Sequence, residues 1–293
     1  MTAALGRVGL WTSSLDALEV PAAREQVAEL DAQGWGALWF GEAYGREAFT
    51  AAQLYLGASE RLVVATGIAS IHGRDAVAAN GAARALEAAF PGRFVMGLGV
   101  SHAPLVERMR GHTYGRPVAA MREYLDALDG APYAAAGGTQ PPPRVLAALG
   151  PRMLELARDR AQGAHPYLVT PEHTAQARAA LGPDALLAVE QAVVLDEDVD
   201  EWRRRAHWHL EIYTGLPNYR ASWRRQGFSD DDAVRGGSER LKQAMVVRGP
   251  ESVRERVAAH LEAGASHVCL QVLGADASDV PAADWARLAP AVL

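Results

Sequence analysis

The sequence predicts a single closed (β/α)8 barrel with an insertion late in the chain, and three observations carry that prediction. Short apolar, β-branched runs alternate with alanine-rich segments of helical period. Those runs are near-continuously apolar, as strands covered on both faces must be. The alternation repeats eight times, which favours a barrel over an open doubly wound sheet. The chain of 293 residues matches the length such barrels take as one domain, and we expect one domain over 1–293.

Arg7 to Ser13 (RVGLWTS) reads as the first strand. A helix over Pro21 to Gly34 follows, opened by proline, closed by glycine and striped by Ala23, Val27 and Leu30. Ala37 to Gly41 is the second strand and Glu47 to Leu56 its helix. Leu62 to Ala69 is the third, followed by a helix over Arg74 to Phe90. Arg93 to Gly99 is the fourth, and helix Val118 to Leu128 sets Val118, Met121, Leu125 and Leu128 on one face. Arg144 to Leu149 and Pro151 to Gln162 make the fifth unit, Ala164 to Val169 and Pro171 to Leu181 the sixth. Leu186 to Leu195 is the seventh strand; helix Pro250 to Ala263 precedes the eighth, Val268 to Leu273. The segment Leu216 to Arg240 interrupts the last repeats.

Composition excludes several classes of function. A formal net charge of −6 with scattered arginines gives no nucleic-acid footprint. No uncharged apolar stretch approaches the ~20 residues a membrane span needs. Met1 to Gly6 lacks a basic start followed by a long apolar core, so no signal peptide is expected. Cys269 is the only cysteine, which fits a cytoplasmic location, and its apolar run marks it as a buried, inert thiol. Lys242 is the only lysine, the mark of a high-GC coding sequence.

Barrels of this kind work at the carboxyl ends of their strands. That rule selects Glu42 and Tyr44 after the second strand. Ser70, Ile71, His72 and Arg74 follow the third, and Val100, Ser101 and His102 the fourth. Gly150, Pro151, Arg152 and Met153 follow the fifth, and Thr170 follows the sixth. Glu42 has two readings: a buried proton donor or acceptor, or a carboxylate pairing an arginine at the barrel mouth. His72 and His102 hold matched positions on neighbouring strands, where an imidazole can exchange a proton near neutral pH. Gly150 to Leu154 (GPRML) opens a helix directly behind a strand, so its backbone N–H groups and Arg152 favour a phosphate. No G-x-G-x-x-G follows a strand, which disfavours a dinucleotide site. The first strand ends Trp11-Thr12-Ser13-Ser14, without a ligand, and the spacing of His207 and His209 puts them on different helix faces. No metal is expected.

The stretches VGLWTSS, LWFGEA, VATGIASIHGRDA, RFVMGLGVSHAPLV, YGRPVAAMREYLDAL, LGPRMLELA, GAHPYLVTPEHT and GASHVCLQVL resemble, in order, the luciferase-like monooxygenase superfamily. The nearest likeness is to its branch dependent on coenzyme F-420 (F420), an 8-hydroxy-5-deazaflavin. The resemblance implies a non-prolyl cis peptide at Ser70-Ile71 against the ring, and the phosphate at Gly150, Pro151, Arg152 and Met153 with Val169 and Thr170 nearby. It implies that Val100 to His102 border the ring and that Glu42 and His102 hold the family's acid/base places; with His72, these are the candidates for handling the proton. It further implies hydride transfer to or from a small organic substrate, either C=N or C=C reduction or alcohol oxidation. FMN with monooxygenase chemistry is the alternative cofactor, and the composition tilts the choice to the deazaflavin. A non-catalytic cofactor-binding relative is the third reading. Trp202, Trp208, Trp223, Tyr213 and Tyr219 enrich the late region, either as packing or as a lid. Asn218, Tyr219 and Arg220 are substrate candidates there, with Trp11 and Tyr44. A homodimer is expected from the resemblance alone.

Overall fold

A computed structural model describes residues 5–276 and 278–293. The expectation about Met1 to Gly6 therefore falls largely outside the described residues. Within them, parallel strands run in the order β1 Val8–Trp11, β2 Ala37–Phe40, β3 Val63–Thr66, β4 Ala69–Ser70 and β5 Phe94–Gly99. β6 Arg144–Leu146, β7 Gly163–Ala164, β8 Leu186–Val194, β9 Val246–Arg248 and β10 His267–Val272 complete the sheet. Each pairs with its neighbour in the order β1, β2, β3, β5, β6, β7, β8, β10, and β10 pairs back to β1. β3 and β4 are one barrel strand interrupted between Thr66 and Ala69, so eight strands close the ring. β9 takes the edge of β8 at residues 192–194, beyond the point where the short β7 stops pairing.

The connecting helices are α1 Val20–Ala32, α2 Ala48–Leu56, α3 Ala76–Ala89, α4 Pro117–Asp129, α5 Pro151–Arg160 and α6 Pro171–Leu181. α7 Val199–Thr214, α8 Pro217–Arg225, α9 Glu239–Met245, α10 Pro250–Glu262 and α11 Ala282–Val292 follow. No described helix is long and apolar enough to cross a membrane. The predicted insertion is α8 with the turns that lead to α9.

Period-two alternation splits each strand between two apolar layers. On β2, Leu38 and Phe40 face the helices while Ala37 and Trp39 fill the barrel; on β8, Leu187, Val189 and Val193 face out while Leu186, Ala188 and Ala192 face in. The inner layer continues into Trp202, Leu210, Trp223 and Leu241, so α7, α8 and α9 stopper the barrel. Gly97 is needed where the strands close: a Cβ there would run into the carbonyl oxygen of Thr66. Polar groups punctuate the barrel interior. Trp39 Nε1 donates to His267 Nε2 at 3.1 Å, and the ring of Trp39 stacks on His165 at 4.7 Å. Cys269 is fully buried, and burial holds its thiol well above the ordinary range, as an inert thiol requires.

Several element boundaries differ from the sequence reading. The third strand is interrupted at Gly67 and Ile68, inside its predicted span. The sixth shrinks from Ala164–Val169 to Gly163–Ala164, and the chain beyond it turns at Leu168, φ 53°. The fifth ends at Leu146 rather than Leu149.

Candidate active site

Strand ends β1, β2, β4, β5 and β7 gather the candidate residues at one mouth. Trp11 is buried and donates from Nε1 to the carbonyl of Gly67 at 2.9 Å. That carbonyl belongs to the Gly67–Ile68 peptide, which is the cis bond. The position expected from the resemblance, Ser70-Ile71, is therefore corrected by three residues. The sequence reading carried the third strand to Ala69, past the break, and so set the bulge too late. Ile71 packs between sheet and helices, its N–H donating to Gly99 O at 3.0 Å, while Ile68 is the half-buried side chain at the break.

Glu42 is the anchor of this rim. Oε2 accepts from Ser70 N at 2.8 Å, Oε1 accepts from Ala48 N at 3.2 Å, and the carboxylate pairs with Arg74. Arg74 also reaches Glu47 at 2.8 Å and covers the ring of Phe49. Of its two sequence readings, the geometry realises the ion pair, which ties the starts of α2 and α3 to β4. Ser70 is buried, its hydroxyl accepting from His72 N at 3.2 Å. Tyr44 is 82% exposed and turned away from the barrel.

The two histidines separate. His72 has its Nε2 buried without a partner and lies 6.2 Å from the ring of Tyr114 and 6.3 Å from that of His112. Burial, then the charges of His112 and Arg110, lower its pKa. His102 is half-buried, 5.8 Å from the ring of Tyr219, and burial lowers its pKa as well. Val100 and Ser101 lie between strand β5 and His102. Ser101 adopts φ 55°, a conformation that non-glycine residues rarely hold and that clusters at functional sites, and its carbonyl accepts from Tyr114 Oη at 3.0 Å.

An aromatic wall faces them. Trp11 meets Tyr167 at 5.4 Å, Tyr167 meets Tyr213 at 5.4 Å, and Tyr213 meets Tyr219 at 4.8 Å. Tyr213 Oη donates to Tyr167 Oη at 3.1 Å, which donates to Gln271 Oε1 at 2.6 Å. Beneath lies Glu190, fully buried, its Oε2 accepting from Leu168 N at 2.9 Å and its Oε1 without a partner. Burial pushes its carboxyl up to about 8. Tyr167, Gln271 and Glu190 were not among the sequence candidates. A lone carboxylate inside the apolar run LLAVEQAVVL was the one signal that could have flagged Glu190.

The expected phosphate positions form two adjacent helix starts. Gly150 caps α5 with no side-chain hydrogen bond, Pro151 and Arg152 are exposed, and the side chain of Met153 is buried against the helices. A Cβ built on Gly150 would meet, within 4 Å, only the Nη2 of Arg225, at 3.7 Å. Val169 is buried in the outer layer, and Thr170 caps α6, its N–H donating to Gln226 Oε1 at 2.9 Å. Of the insertion candidates, Tyr219 joins the aromatic wall and Asn218 is exposed on the first turn of α8. Arg220 donates to Thr214 O at 3.2 Å and Ala233 O at 2.7 Å and pairs with Asp230, bracing the insertion from within.

A parallel eight-strand barrel with its polar groups gathered at the strand carboxyl ends defines the class of protein. The chain belongs to the luciferase-like monooxygenase family, whose model matches residues 4–267. It is 31% identical over 104 residues to a Mycobacterium tuberculosis (strain ATCC 25618 / H37Rv) protein named as a coenzyme F420-dependent oxidoreductase. That stretch is 36% of this chain and spans only 30% of the relative's length. Among solved structures, the chain is similar to an F420-dependent secondary alcohol dehydrogenase in complex with an F420-acetone adduct (TM-score 0.75, 13% identity, 98% of this chain and 99% of that one). It is similar to the coenzyme F420-dependent tetrahydromethanopterin reductase from Methanopyrus kandleri (TM-score 0.73, 16% identity, 98% of each chain). EDTA monooxygenase from Chelativorans sp. BNC1 has the same fold (TM-score 0.73, 13% identity, 98% of this chain and 93% of that one).

Proposed function

We propose that this protein is a coenzyme F420-dependent oxidoreductase that moves a hydride between the deazaflavin and a small, largely apolar organic substrate. One observation carries the reading. A helix start suited to phosphate, Gly150 on α5, opens at the same mouth as an aromatic-walled recess that holds the half-buried imidazole of His102. The named F420-dependent relatives support the choice of cofactor.

The residues present fit such a group. Gly150 leaves open space above the start of α5, where backbone N–H groups and the positive helix end would hold a phosphate. Ile68, Val100 and Ser101 would border the ring. The deazaflavin, when bound, supplies hydride transfer at a ring carbon and little reactivity with oxygen.

This chain's own residues handle position and proton. The Glu42–Arg74 pair fixes Ser70 and the turn after it, and Trp11 fixes Gly67, so the floor of the recess is set before a ligand arrives. Tyr167, Tyr213 and Tyr219 line an apolar wall that excludes water from the reacting atoms. His102, kept neutral by its burial, accepts the hydroxyl proton of an alcohol in the oxidising direction and returns it in the other.

Mixing the purified protein with oxidised F420 and a panel of secondary alcohols, and with reduced F420 and a panel of enones and imines, tests the reading. Bleaching or recovery of the deazaflavin's visible absorption with one substrate class is expected. Tight FMN binding with substrate-dependent oxygen consumption, and no change with F420, would overturn it.

A further inference from the structure

The inner face of β10 ends at the mouth in an amide. Gln271 falls between Cys269 and Leu273, both of the inner layer, so strand alternation turns it into the barrel. Its partner in register on β8 is Ala192, which sets only a methyl group beside it. On the other side Leu270 pairs with Leu10, and the next residue of β1 is Trp11. Trp11 holds the Gly67 carbonyl and meets Tyr167. The amide therefore stands one strand away from the side chain that fixes the cis break.

Two tyrosines set which way this amide faces. Tyr213 Oη donates to Tyr167 Oη at 3.1 Å, and Tyr167 Oη donates to Gln271 Oε1 at 2.6 Å. The second distance is that of an O–H···O bond and is short for an N–H donor. The reverse direction would leave the Tyr213 hydroxyl hydrogen without an acceptor among the described residues. Oε1 is thus occupied and the N–H2 side is left over. That nitrogen has no hydrogen-bond partner among the described residues, yet it is not sealed inside the protein. Gln271 as a whole is only 9% exposed. A donor held in one orientation and largely removed from water is an arrangement that an acceptor oxygen completes.

The same recess is poor in charge. Glu42 is engaged by Arg74, and burial pushes the Glu190 carboxyl up to about 8, so it is neutral at pH 7. A protonated imine nitrogen is itself a donor, and it would meet another donor at Gln271 with no carboxylate to balance it. A carbonyl or alcohol oxygen meets what it lacks. Tyr219 lies 6.4 Å from Tyr167 and 5.8 Å from His102, so the amide and the imidazole serve one recess.

Resting on the hydride-transfer reading above, we propose that Gln271, oriented by Tyr167 and Tyr213, binds the substrate's oxygen through its N–H2 group and selects carbonyl and alcohol substrates over imines. In oxidation the carbinol C–H bond breaks and its hydrogen passes with the electron pair to the deazaflavin. The O–H proton passes to His102, and the C=O bond forms. Reduction reverses these steps, with the amide polarising the carbonyl.

The test is infrared difference spectroscopy of a bound ketone on the cofactor-loaded protein, with butanone, cyclohexanone and acetophenone as probes. The C=O stretch of the bound probe, assigned with its carbon-13 form, is expected below its frequency in hexane. Gln271→Met keeps the length and the apolar stem without a donor. It should move the stretch back toward the hexane value and weaken ketone binding about tenfold, with F420 affinity unchanged. Gln271→Glu still accepts from Tyr167 but donates only when protonated, so its stretch should fall again as pH is lowered, which a packing role would not produce. An unshifted stretch in the unmodified protein, an unchanged shift in Gln271→Met, or binding of none of the three ketones overturns the assignment. Turnover of F420 with imines alone overturns it too, while leaving the F420 reading intact. If the protein binds FMN and not F420, the F420 reading falls and the same spectra on the FMN-loaded protein decide Gln271.

Discussion

Burial sets the protonation state of His102 before any ligand is present, and with it the direction in which the residue can move a proton. With its pKa lowered, His102 is neutral at pH 7, so oxidation needs no prior deprotonation and its activity should fall only below the ordinary histidine range. His102→Gln is expected to lower kcat by about a hundredfold or more while changing F420 affinity little, measured by steady-state kinetics and titration. An unchanged kcat would return the role to His72. Glu42 contributes through structure. Glu42→Ala removes one side of a buried pair but leaves Arg74 its second partner, Glu47, so thermal melting should report a loss of roughly 3 kcal/mol. At this scale the sequence was legible where a strand end announces itself: Trp11, Glu42, His102 and Gly150 all reach the mouth. It was not legible where contact depends on a turn of the backbone. Ile68, not Ile71, stands at the break because the chain leaves the ladder at Thr66, and nothing in LVVATGIAS marks that residue as the last one paired.

At the scale of elements, the mouth is shaped by two departures from a regular barrel. β7 pairs through two residues only, and the chain from His165 to Thr170 then runs across the opening, held by Glu190 to Leu168 N and by Trp223 Nε1 to Leu168 O at 3.2 Å. β9 and the insertion occupy the edge so vacated, with Trp202 Nε1 donating to Val246 O at 3.0 Å. The sequence showed a strand and an interruption here but not their relation, because both read as ordinary apolar runs until pairing partners are assigned. By contrast, the helices α1 to α6 lay within two residues of their predicted bounds, since stripe, opening proline and closing glycine are local signals. One strand position tests the closure. Gly97→Ala sets a methyl group against the Thr66 carbonyl at the junction of β3 and β5, and an unfolding titration should show a loss of about 3 kcal/mol or more, with no gain in any ligand affinity.

Across the whole molecule, the buried histidines set the response to acid. His165, His173, His209 and His267 are held down to about 4 and His260 to about 3, each chiefly by burial. The unfolded chain binds these protons near the ordinary value of about 6.5, so their contribution is complete above that pH and is lost progressively as pH falls toward 4. Glu190 acts in the opposite sense. Its raised pKa makes its contribution complete below the ordinary carboxylate range and lost as pH rises through about 8. With five groups against one, the melting temperature should drop steeply between pH 6.5 and 4 and only slightly from 7 to 9; a flat profile down to pH 5 would contradict this assignment of the interior. The same interior separates a helix-facing core, which holds the barrel together, from an inner layer that ends in the aromatic wall, so the site has the strands on one side and is closed by α7 and α8 on the other.

A crystal structure of the protein with oxidised F420 tests the central claim most directly. The phosphate is expected at Gly150, and the deazaflavin ring in the recess between Ile68 and the Tyr167–Tyr219 wall with His102 at its edge. A ring bound anywhere else on the barrel, or in the recess but with its phosphate away from the start of α5, would contradict it.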